Sequence, residues 1–122
     1  MNIQTGIDLV ELEQIKKSIQ NPRFLTRFFS PQEQSLFANK HDPTQTIAAN
    51  FAAKEAFSKS IGTGIRGFSL SEVSVLRDQL GKPYLVFSGK AQQIVQQHHF
   101  QFSISLTHTK HYAAAVVIAY QT

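Results

Sequence analysis

The sequence predicts an α+β fold in which a mainly antiparallel sheet packs against one long helix. Helical spacings of apolar residues occupy the first half of the 122-residue chain, and strand patterns dominate the second half. Residues 47–61 contain Ala, Phe, Lys and Glu without Gly or Pro, which favours a helix. The length suits a single domain over residues 1–122.

Local patterns predict the elements that precede the long helix. Residues 2–10 (NIQTGIDLV) are typical of a strand, and the apolar spacing in residues 11–20 predicts a helix that the pair Asn21-Pro22 interrupts. Ser30 followed by Glu33 has the spacing of a capping box. A second helix is therefore expected in SPQEQSLFANK.

The long helix and the strands that follow it are predicted by the same means. Thr44 or Thr46 is expected to cap the start of the helix. A short helix is expected in GKAQQIVQQHH, and the last two strands should form a hairpin with THTKH near the bend. The predicted strands beyond the long helix are 68–76, 83–87, 103–106 and 113–119.

Residues 62–67 read GTGIRG, which matches the glycine pattern of a dinucleotide-binding loop. In such a loop a strand precedes the glycines and a helix follows them. Here the glycines follow a helical segment, so they are predicted to end the helix and not to form a dinucleotide-binding loop.

Charge and composition narrow the class of protein. The formal charge of +4 favours a polyanionic partner, which could be a nucleic acid, a phosphorylated cofactor or an acidic protein. The absence of cysteine excludes disulfides, thiolate chemistry and Cys-ligated zinc. Because the longest apolar segment, Tyr112–Tyr120, is about half a membrane span, we expect a cytoplasmic protein that does not bind membranes.

Two acidic residues and a lysine are the strongest candidates for chemistry. Glu55 and Lys59 share one helical stripe with Ala48 and Ala52, so they should project together from a surface kept low by alanines. Asp8 lies in the apolar segment GIDLVEL, and with Glu55 it would offer the oxygen ligands that Mg²⁺ prefers. The alternatives are a surface ion pair between Glu55 and Lys59, and an Asp8 that faces water at a strand end.

The segment THTKH brings His108 and His111 close in sequence. If the segment is extended, the two side chains point to opposite faces, and zinc would lack further ligands. The remaining interpretations are a solvated hairpin tip and a contact with a phosphate-bearing ligand.

Four segments, GIDLVEL, FAAKEAFSKSIGTGI, GKPYL and SLTHTKHYAAAVVIA, together resemble the holo-acyl-carrier-protein synthase family of 4'-phosphopantetheinyl transferases. The resemblance covers nearly the full chain, in order. It implies Mg²⁺-dependent transfer of the phosphopantetheine arm of coenzyme A (CoA) to a serine of an apo acyl carrier protein, with release of adenosine 3',5'-bisphosphate. It also implies the fold of that family and a homotrimer with sites at subunit interfaces.

The same resemblance assigns roles to individual residues. Asp8, Glu55 and Lys59 would be catalytic; the two carboxylates would bind Mg²⁺ and the lysine would contact a CoA phosphate. The implied CoA-binding residues are Ser58, Lys59, Gly62, Pro83, His108 and Thr109. The resemblance does not assign the carrier contact, because Gln14 stands where the family often has a basic docking residue. We expect that contact instead at the basic cluster of the early helical region, for which a solvated face is the alternative: Lys16, Lys17, Arg23 and Arg27.

Three positions depart from the family pattern: Asn50 replaces a common Arg, Gln4 a common Gly, and Gln14 a residue that is often basic.

Two other functions compete with the transferase. A nucleic-acid-binding module would need basic and aromatic residues interleaved on one surface. In this sequence, RFLTRFF is the stretch that has this pattern. A Mg²⁺-dependent nuclease would use the same carboxylates and lysine but leaves THTKHY and GKP without a role.

Overall fold

The computed structural model describes residues 1–62 and 67–122, so the inner residues of GTGIRG lie outside the described residues. The α+β class predicted from the sequence is confirmed. The elements are β1 (Asn2–Glu11), α1 (Leu12–Ser18), α2 (Pro22–Phe28), α3 (Pro31–Ala38), α4 (Thr44–Ser60), β2 (Val73–Arg77), β3 (Pro83–Phe87), α5 (Gly89–Gln97), β4 (Gln101–His108) and β5 (Tyr112–Gln121).

The strands form two antiparallel sheets instead of the single sheet expected. The larger sheet has the order β1-β5-β4, and β2 pairs with β3 in the smaller one. β1 pairs with β5 over its full length, from Asn2 opposite Gln121 to Glu11 opposite Tyr112. The predicted hairpin near THTKH is confirmed, since β4 and β5 are antiparallel neighbours.

Helix α4 packs on one face of the larger sheet, and Gly6 of β1 permits the contact. A Cβ atom at Gly6 would stand 1.8 Å from the carbonyl oxygen of Ala56 and 2.7 Å from the backbone nitrogen of Ser60. The C-terminal half of α4 joins the two sheets and α5 in one apolar core, where Phe57 is fully buried. Its N-terminal half meets α1 and the phenylalanines of α2 and α3 in a second core.

The capping predictions for the helices have different outcomes. The capping box of Ser30 and Glu33 is confirmed at the start of α3. The expected Thr cap of α4 is wrong, because the helix begins after Pro43 with no side-chain cap. Asp42 instead accepts hydrogen bonds from both the backbone nitrogen and the hydroxyl of Thr44, at 3.1 and 2.8 Å.

Two other segments differ from the sequence prediction. The strand expected over residues 68–76 begins only at Val73, because Leu70–Glu72 form a 3-10 turn with a capping box at Ser69. Helix α2 was not assigned from the sequence; the Asn21 side chain caps it by accepting from the Arg23 backbone nitrogen. Among the described residues, no helix combines the length and apolar character that crossing a membrane requires.

A buried polar network joins α3, α4 and the smaller sheet. The ammonium of Lys54 donates to the carboxylate of Glu33, and both side chains are fully buried. The other carboxylate oxygen of Glu33 accepts from Asn50 at 2.8 Å and from the Val75 backbone nitrogen at 3.2 Å. Removing one member of such a pair leaves a buried charge without a partner, which typically costs about 3–5 kcal/mol.

Candidate active site

Asp8 lies in the middle of β1 on the face that packs against α4. Successive side chains of a strand alternate between faces, so Gly6 and Asp8 face the helix whereas Ile7 and Leu9 face outward. The Asp8 side chain is 19% exposed. The alternative that Asp8 faces water at a strand end is therefore wrong.

Lys59 reaches Asp8 from the last turn of α4. Its ammonium donates to Asp8 Oδ1 at 3.1 Å and to the carbonyl oxygen of Ile7 at 3.0 Å. In the part of the chain that the structure describes, Lys59 and Glu55 form no ion pair within 4.0 Å. The surface pair within the helix is thus replaced by a contact that joins the helix to the sheet.

The alanine stripe was interpreted wrongly from the sequence. Ala48 and Ala52 are fully buried in the two cores and do not form a low surface. The stripe leaves the core only at its C-terminal end, where Glu55 is partly buried and Lys59 exposed.

Glu55 lies within electrostatic reach of both other charged groups. Burial raises the pKa of its carboxyl above the usual value, the negative charge of Asp8 raises the pKa further, and the ammonium of Lys59 opposes both effects. The protein therefore holds two mutually repelling carboxylates near one ammonium, and a cation between them would relieve the repulsion.

This pair fits the predicted metal by its donor chemistry. In residues 1–62 and 67–122, no group of three or more His, Cys, Asp or Glu side chains comes together. Mg²⁺ is commonly held by one or two carboxylates, with waters and substrate phosphates as its remaining ligands. Asp8 and Glu55 provide two carboxylates of this kind, and the ammonium of Lys59 lies beside Asp8.

Ser58 and Gly62, two predicted CoA-binding residues, lie next to Lys59 at the end of α4. The Ser58 hydroxyl donates to the carbonyl oxygen of Lys54 at 3.2 Å. Gly62 ends the helix with a φ of +90°, and its backbone nitrogen donates to the carbonyl oxygen of Lys59 at 3.3 Å. The prediction that glycine ends this helix is correct at Gly62.

A pocket of about 280 Å³ lies near the start of α4. Its walls include Pro83 and His108, two predicted CoA-binding residues, together with Thr46 and Arg77. The sequence analysis did not single out Arg77, which stands at the end of β2 with nothing in its local pattern to mark it. The pocket, which we call the Arg77 pocket, is thus a candidate for part of a large anionic ligand.

Thr109 and His111 belong to the turn between β4 and β5. The Thr109 hydroxyl accepts from the backbone nitrogens of His111 and Tyr112, at 3.3 and 3.1 Å. The carbonyl oxygen of His111 accepts from the backbone nitrogen of Leu12 at 2.9 Å. Thr109 therefore orders the loop beside His108, and its predicted contact with the nucleotide stays a prediction.

The Arg77 pocket and the predicted metal pair, Asp8 and Glu55, lie at different heights along α4. Ala49 lines the pocket, and Glu55 follows it six positions later, which corresponds to about 9 Å along the helix axis. A ligand that touches both places must therefore carry charged groups that are well separated.

The basic residues predicted to bind the carrier protein are exposed on α1 and α2. Lys16 lies 3.4 Å from Glu13, both side chains being largely exposed, so their attraction is weak. Arg27 stacks over the ring of Phe28 at 5.2 Å. These two helices present Lys16, Lys17, Arg23 and Arg27 to solvent.

The three departures from the family pattern occupy different environments. Gln14 is exposed and Gln4 partly exposed, whereas Asn50 is fully buried. The Asn50 side-chain oxygen accepts a hydrogen bond from Arg77 at 2.6 Å. An arginine thus reaches position 50 from β2, although none stands there in the sequence.

An α+β scaffold that presents two carboxylates and a lysine at one point is suited to phosphoryl transfer, which needs cations near phosphate oxygens more than covalent chemistry. Comparison with known proteins defines the class further. Residues 4–117 match the model of the 4'-phosphopantetheinyl transferase superfamily. The chain belongs to this family, and the resemblance stated from the sequence is confirmed.

Individual relatives agree with this membership. The holo-[acyl-carrier-protein] synthase of Clostridium botulinum is 44% identical over 114 residues, which cover 93% of each chain. The crystal structure of the synthase from Neisseria meningitidis superposes with a TM-score of 0.89 at 30% identity, covering 97% of this chain and 98% of that one. The synthase of Bacillus anthracis, solved in complex with CoA (3',5'-ADP), gives a TM-score of 0.81 at 31% identity, covering 98% and 96%.

Proposed function

We propose that this chain transfers the 4'-phosphopantetheine group of CoA to a serine of an apo acyl carrier protein, with Mg²⁺ held by Asp8 and Glu55. The observation that carries the proposal is the contact between β1 and α4. There the Lys59 ammonium lies 3.1 Å from Asp8 Oδ1, and the charges of Asp8 and Lys59 act in opposite directions on the pKa of Glu55. The superfamily match over residues 4–117 supports the reaction class. Residues 1–122 would act as a single domain.

The transfer forms a phosphodiester bond to serine and breaks the phosphoanhydride bond of the CoA diphosphate. The serine oxygen of the carrier forms a bond to the phosphorus next to pantetheine, and the bond from that phosphorus to the bridging diphosphate oxygen breaks. Adenosine 3',5'-bisphosphate leaves, and the serine proton passes to a base or to water. Since charge accumulates on phosphate oxygens, stabilising that charge is the main task of the site.

The residues of this chain divide that task. Bound Mg²⁺ would neutralise oxygens of the diphosphate, which is the chemistry such ions supply. Asp8 and Glu55 would hold the ion, and their mutual repulsion would be relieved when it is present. The ammonium of Lys59, which donates a hydrogen bond to Asp8 in this structure, would bind a phosphate oxygen instead. Ser58, Gly62, Pro83, His108 and Thr109 stay proposed contacts of CoA.

We also propose a homotrimer whose subunits meet through the outer face of the larger sheet. Ile3, Ile7 and Leu9 of β1 are 61–65% exposed on this face, and Ile118 of β5 is 37% exposed beside Thr5. An apolar patch of this kind on a small protein marks an interaction surface. Asp8 follows Ile7 directly in β1, so subunit contacts on the outer face would lie one residue away from the proposed metal pair, on the opposite side of the sheet.

Carrier recognition would be electrostatic. The exposed cations Lys16, Lys17, Arg23 and Arg27 and a net charge of +4 suit an acidic partner. A cytoplasmic location stays a prediction. The nuclease alternative explains the carboxylate pair but gives no role to the Arg77 pocket, where Pro83 and His108 meet.

Incubation with CoA, Mg²⁺ and an apo acyl carrier protein tests the proposal. We expect mass spectrometry to show a carrier heavier by one phosphopantetheine, and adenosine 3',5'-bisphosphate in the supernatant. Omitting CoA or adding excess chelator should abolish the mass gain. An unmodified carrier at all Mg²⁺ concentrations, or cleavage of added oligonucleotides, would contradict the proposal.

A further inference from the structure

Lys54 of α4 is a fully buried cation to which the proposed reaction gives no task. A lysine ammonium has three N–H donors, and here each of them has a protein acceptor. The ammonium donates to the carboxylate of Glu33, to the carbonyl oxygen of Leu70 at 3.0 Å and to that of Val73 at 2.5 Å. The centroid of the Phe29 ring lies 4.9 Å from the same nitrogen. The charge is therefore held at one point, and no donor is left for a ligand.

The three acceptors of Lys54 belong to three elements other than α4. Glu33 lies in α3, Leu70 in the 3-10 turn and Val73 at the start of β2. Glu33 is itself fixed, because its carboxylate also accepts from backbone nitrogens of the α3 cap and of β2, at 3.0 and 3.2 Å. Helix α4 can therefore neither rotate about its axis nor slide along it without breaking these bonds.

Glu55, the next residue, depends on the helix for its position. Side chains of neighbouring helical residues point about 100° apart, so Lys54 faces the smaller sheet while Glu55 lies within electrostatic reach of Asp8. Within residues 1–62 and 67–122, the Glu55 carboxylate accepts no hydrogen bond that would hold it independently. The angle of α4 about its axis thus decides where this carboxylate lies.

Apolar packing constrains that angle weakly. In this turn of α4 the buried apolar residues are Ala52, Ala53, Ala56 and Phe57, and only the last is large. Methyl groups give a helix low ridges, so packing resists rotation less where alanines prevail. Side-chain tips lie about 5–6 Å from the helix axis, so a rotation of about 10° would move the Glu55 carboxylate by about 1 Å. A buried ion pair suits the task of preventing this, because setting one register is its best-attested use.

We propose that Lys54, paired with Glu33, is a positioning residue that sets the rotation of α4 and thereby places Glu55 where it can share a divalent cation with Asp8. The inference rests on the proposed function, in which Glu55 is a ligand of Mg²⁺. Lys54 touches neither the metal nor a substrate, and it acts through the backbone of the helix. The buried pair thus has a task beyond stability.

Three variants separate positioning from stability. Lys54→Met keeps an unbranched side chain but leaves Glu33 buried without its partner, so Tm should fall by roughly 10 °C or more. Glu33→Gln combined with Lys54→Met removes both charges and should recover about half of that loss or more, since no buried charge is left unpaired. Ser74→Ala is the control, because it deletes a buried hydrogen bond to Ser30 outside α4; Tm should fall by about 4 °C.

Titration with Mn²⁺ in the absence of substrate, followed by electron paramagnetic resonance, reports on the carboxylate pair itself. Mn²⁺ accepts the same oxygen ligands as Mg²⁺. Both Lys54→Met proteins, single and double, should bind Mn²⁺ about 10- to 100-fold more weakly than the wild type. In the transfer assay both should need more Mg²⁺ and show a kcat lowered by about 100-fold, with the KM for the carrier nearly unchanged. Ser74→Ala should match the wild type in Mn²⁺ affinity and in kcat.

Each other outcome counts against a defined part of the reasoning. A double variant that regains Tm and binds Mn²⁺ as the wild type does would refute the positioning role, as would an equal loss of affinity in Ser74→Ala. A double variant without a cooperative unfolding transition would assign the pair to folding alone. These results leave the proposed function standing.

The proposed function and this inference can also fail separately. If Mn²⁺ binding depends on Lys54 as expected but the wild type transfers nothing from CoA, the proposed function fails while the positioning of Glu55 holds. If the wild type binds no Mn²⁺, the metal pair and this inference fail together, and the transfer assay decides the function by itself.

Discussion

Replacing Gly6 by alanine is the sharpest test of how β1 and α4 build the site. The added Cβ would stand 1.8 Å from the carbonyl oxygen of Ala56, and real Cβ atoms do not approach heavy atoms closer than 3.0 Å. The two elements must therefore separate by about 1 Å or more, and the clashing atoms are backbone atoms that no rotamer change can move.

The cost should be large both for stability and for catalysis. Overpacking typically costs about 1–3 kcal/mol, and we expect about 3 kcal/mol because the neighbours cannot yield. For a chain of this size that corresponds to a fall in Tm of roughly 10 °C. Since Asp8 lies two residues from Gly6 and Lys59 next to Ser60, a shift of about 1 Å should also lower turnover by about 100-fold.

Thermal unfolding and the phosphopantetheine transfer assay measure the two effects at one protein concentration. Gln93→Ala is the control, because Gln93 is exposed on α5 and belongs to neither β1 nor α4; we expect a change below about 1 kcal/mol. If Gly6→Ala unfolds within a degree or two of Gln93→Ala and keeps its turnover, the close approach of strand and helix has no importance for the site.

Three other predictions concern the metal pair, the carrier and the assembly. Asp8→Asn and Glu55→Gln should each lower kcat by about 100-fold or more and raise the Mg²⁺ concentration required; near-normal turnover in either variant would remove that residue from the site. Glu55→Gln should not lower Tm, because the raised pKa of Glu55 shows that folding disfavours its charged form at neutral pH. The double variant Arg23→Glu, Arg27→Glu should raise the KM for the carrier and leave the KM for CoA nearly unchanged; equal effects on both substrates would exclude these residues from docking. Added salt should raise the KM of the wild type for the carrier, because exposed charges are screened within about 10 Å at 0.1 M. Light scattering should show that Ile7→Lys dissociates the proposed trimer; a wild type that is monomeric in light scattering and active in the transfer assay would refute the proposed assembly.

The sequence predicted elements whose causes are local. The capping box at Ser30 and the helix end at Gly62 depend on residues within one turn, so they could be identified without knowledge of the fold. The cap of α4 was missed because Asp42, one residue before the N-cap Pro43, satisfies Thr44 in place of a threonine cap. Leu70–Glu72 carry a strand-like pattern, but the capping interaction of Glu72 with Ser69 turns the backbone there.

The site itself depends on contacts that no spacing reveals. Asp8 and Lys59 are 51 residues apart in sequence, and only the packing of β1 on α4 brings them to 3.1 Å. The resemblance supplied their expected roles, whereas their geometry had to be observed. Arg77 could not be predicted, because its importance comes from meeting Asn50 and the Arg77 pocket in space.

The side chains of β1 alternate between two faces of the sheet. The register of β1 against β5 therefore matters both for the proposed metal site and for the proposed contact between subunits. Asp8 faces the helix, and its neighbours Ile7 and Leu9 face the outer apolar surface. A slip of the strand by one residue would exchange these faces, placing an isoleucine or a leucine at the metal pair and a carboxylate on the surface between subunits. Gly6 prevents this slip, because any other residue of β1 moved opposite Ala56 would bring a Cβ into the helix backbone. A single glycine thus fixes the register of β1, which keeps the proposed metal ligand on one face of the strand and the proposed subunit contacts on the other.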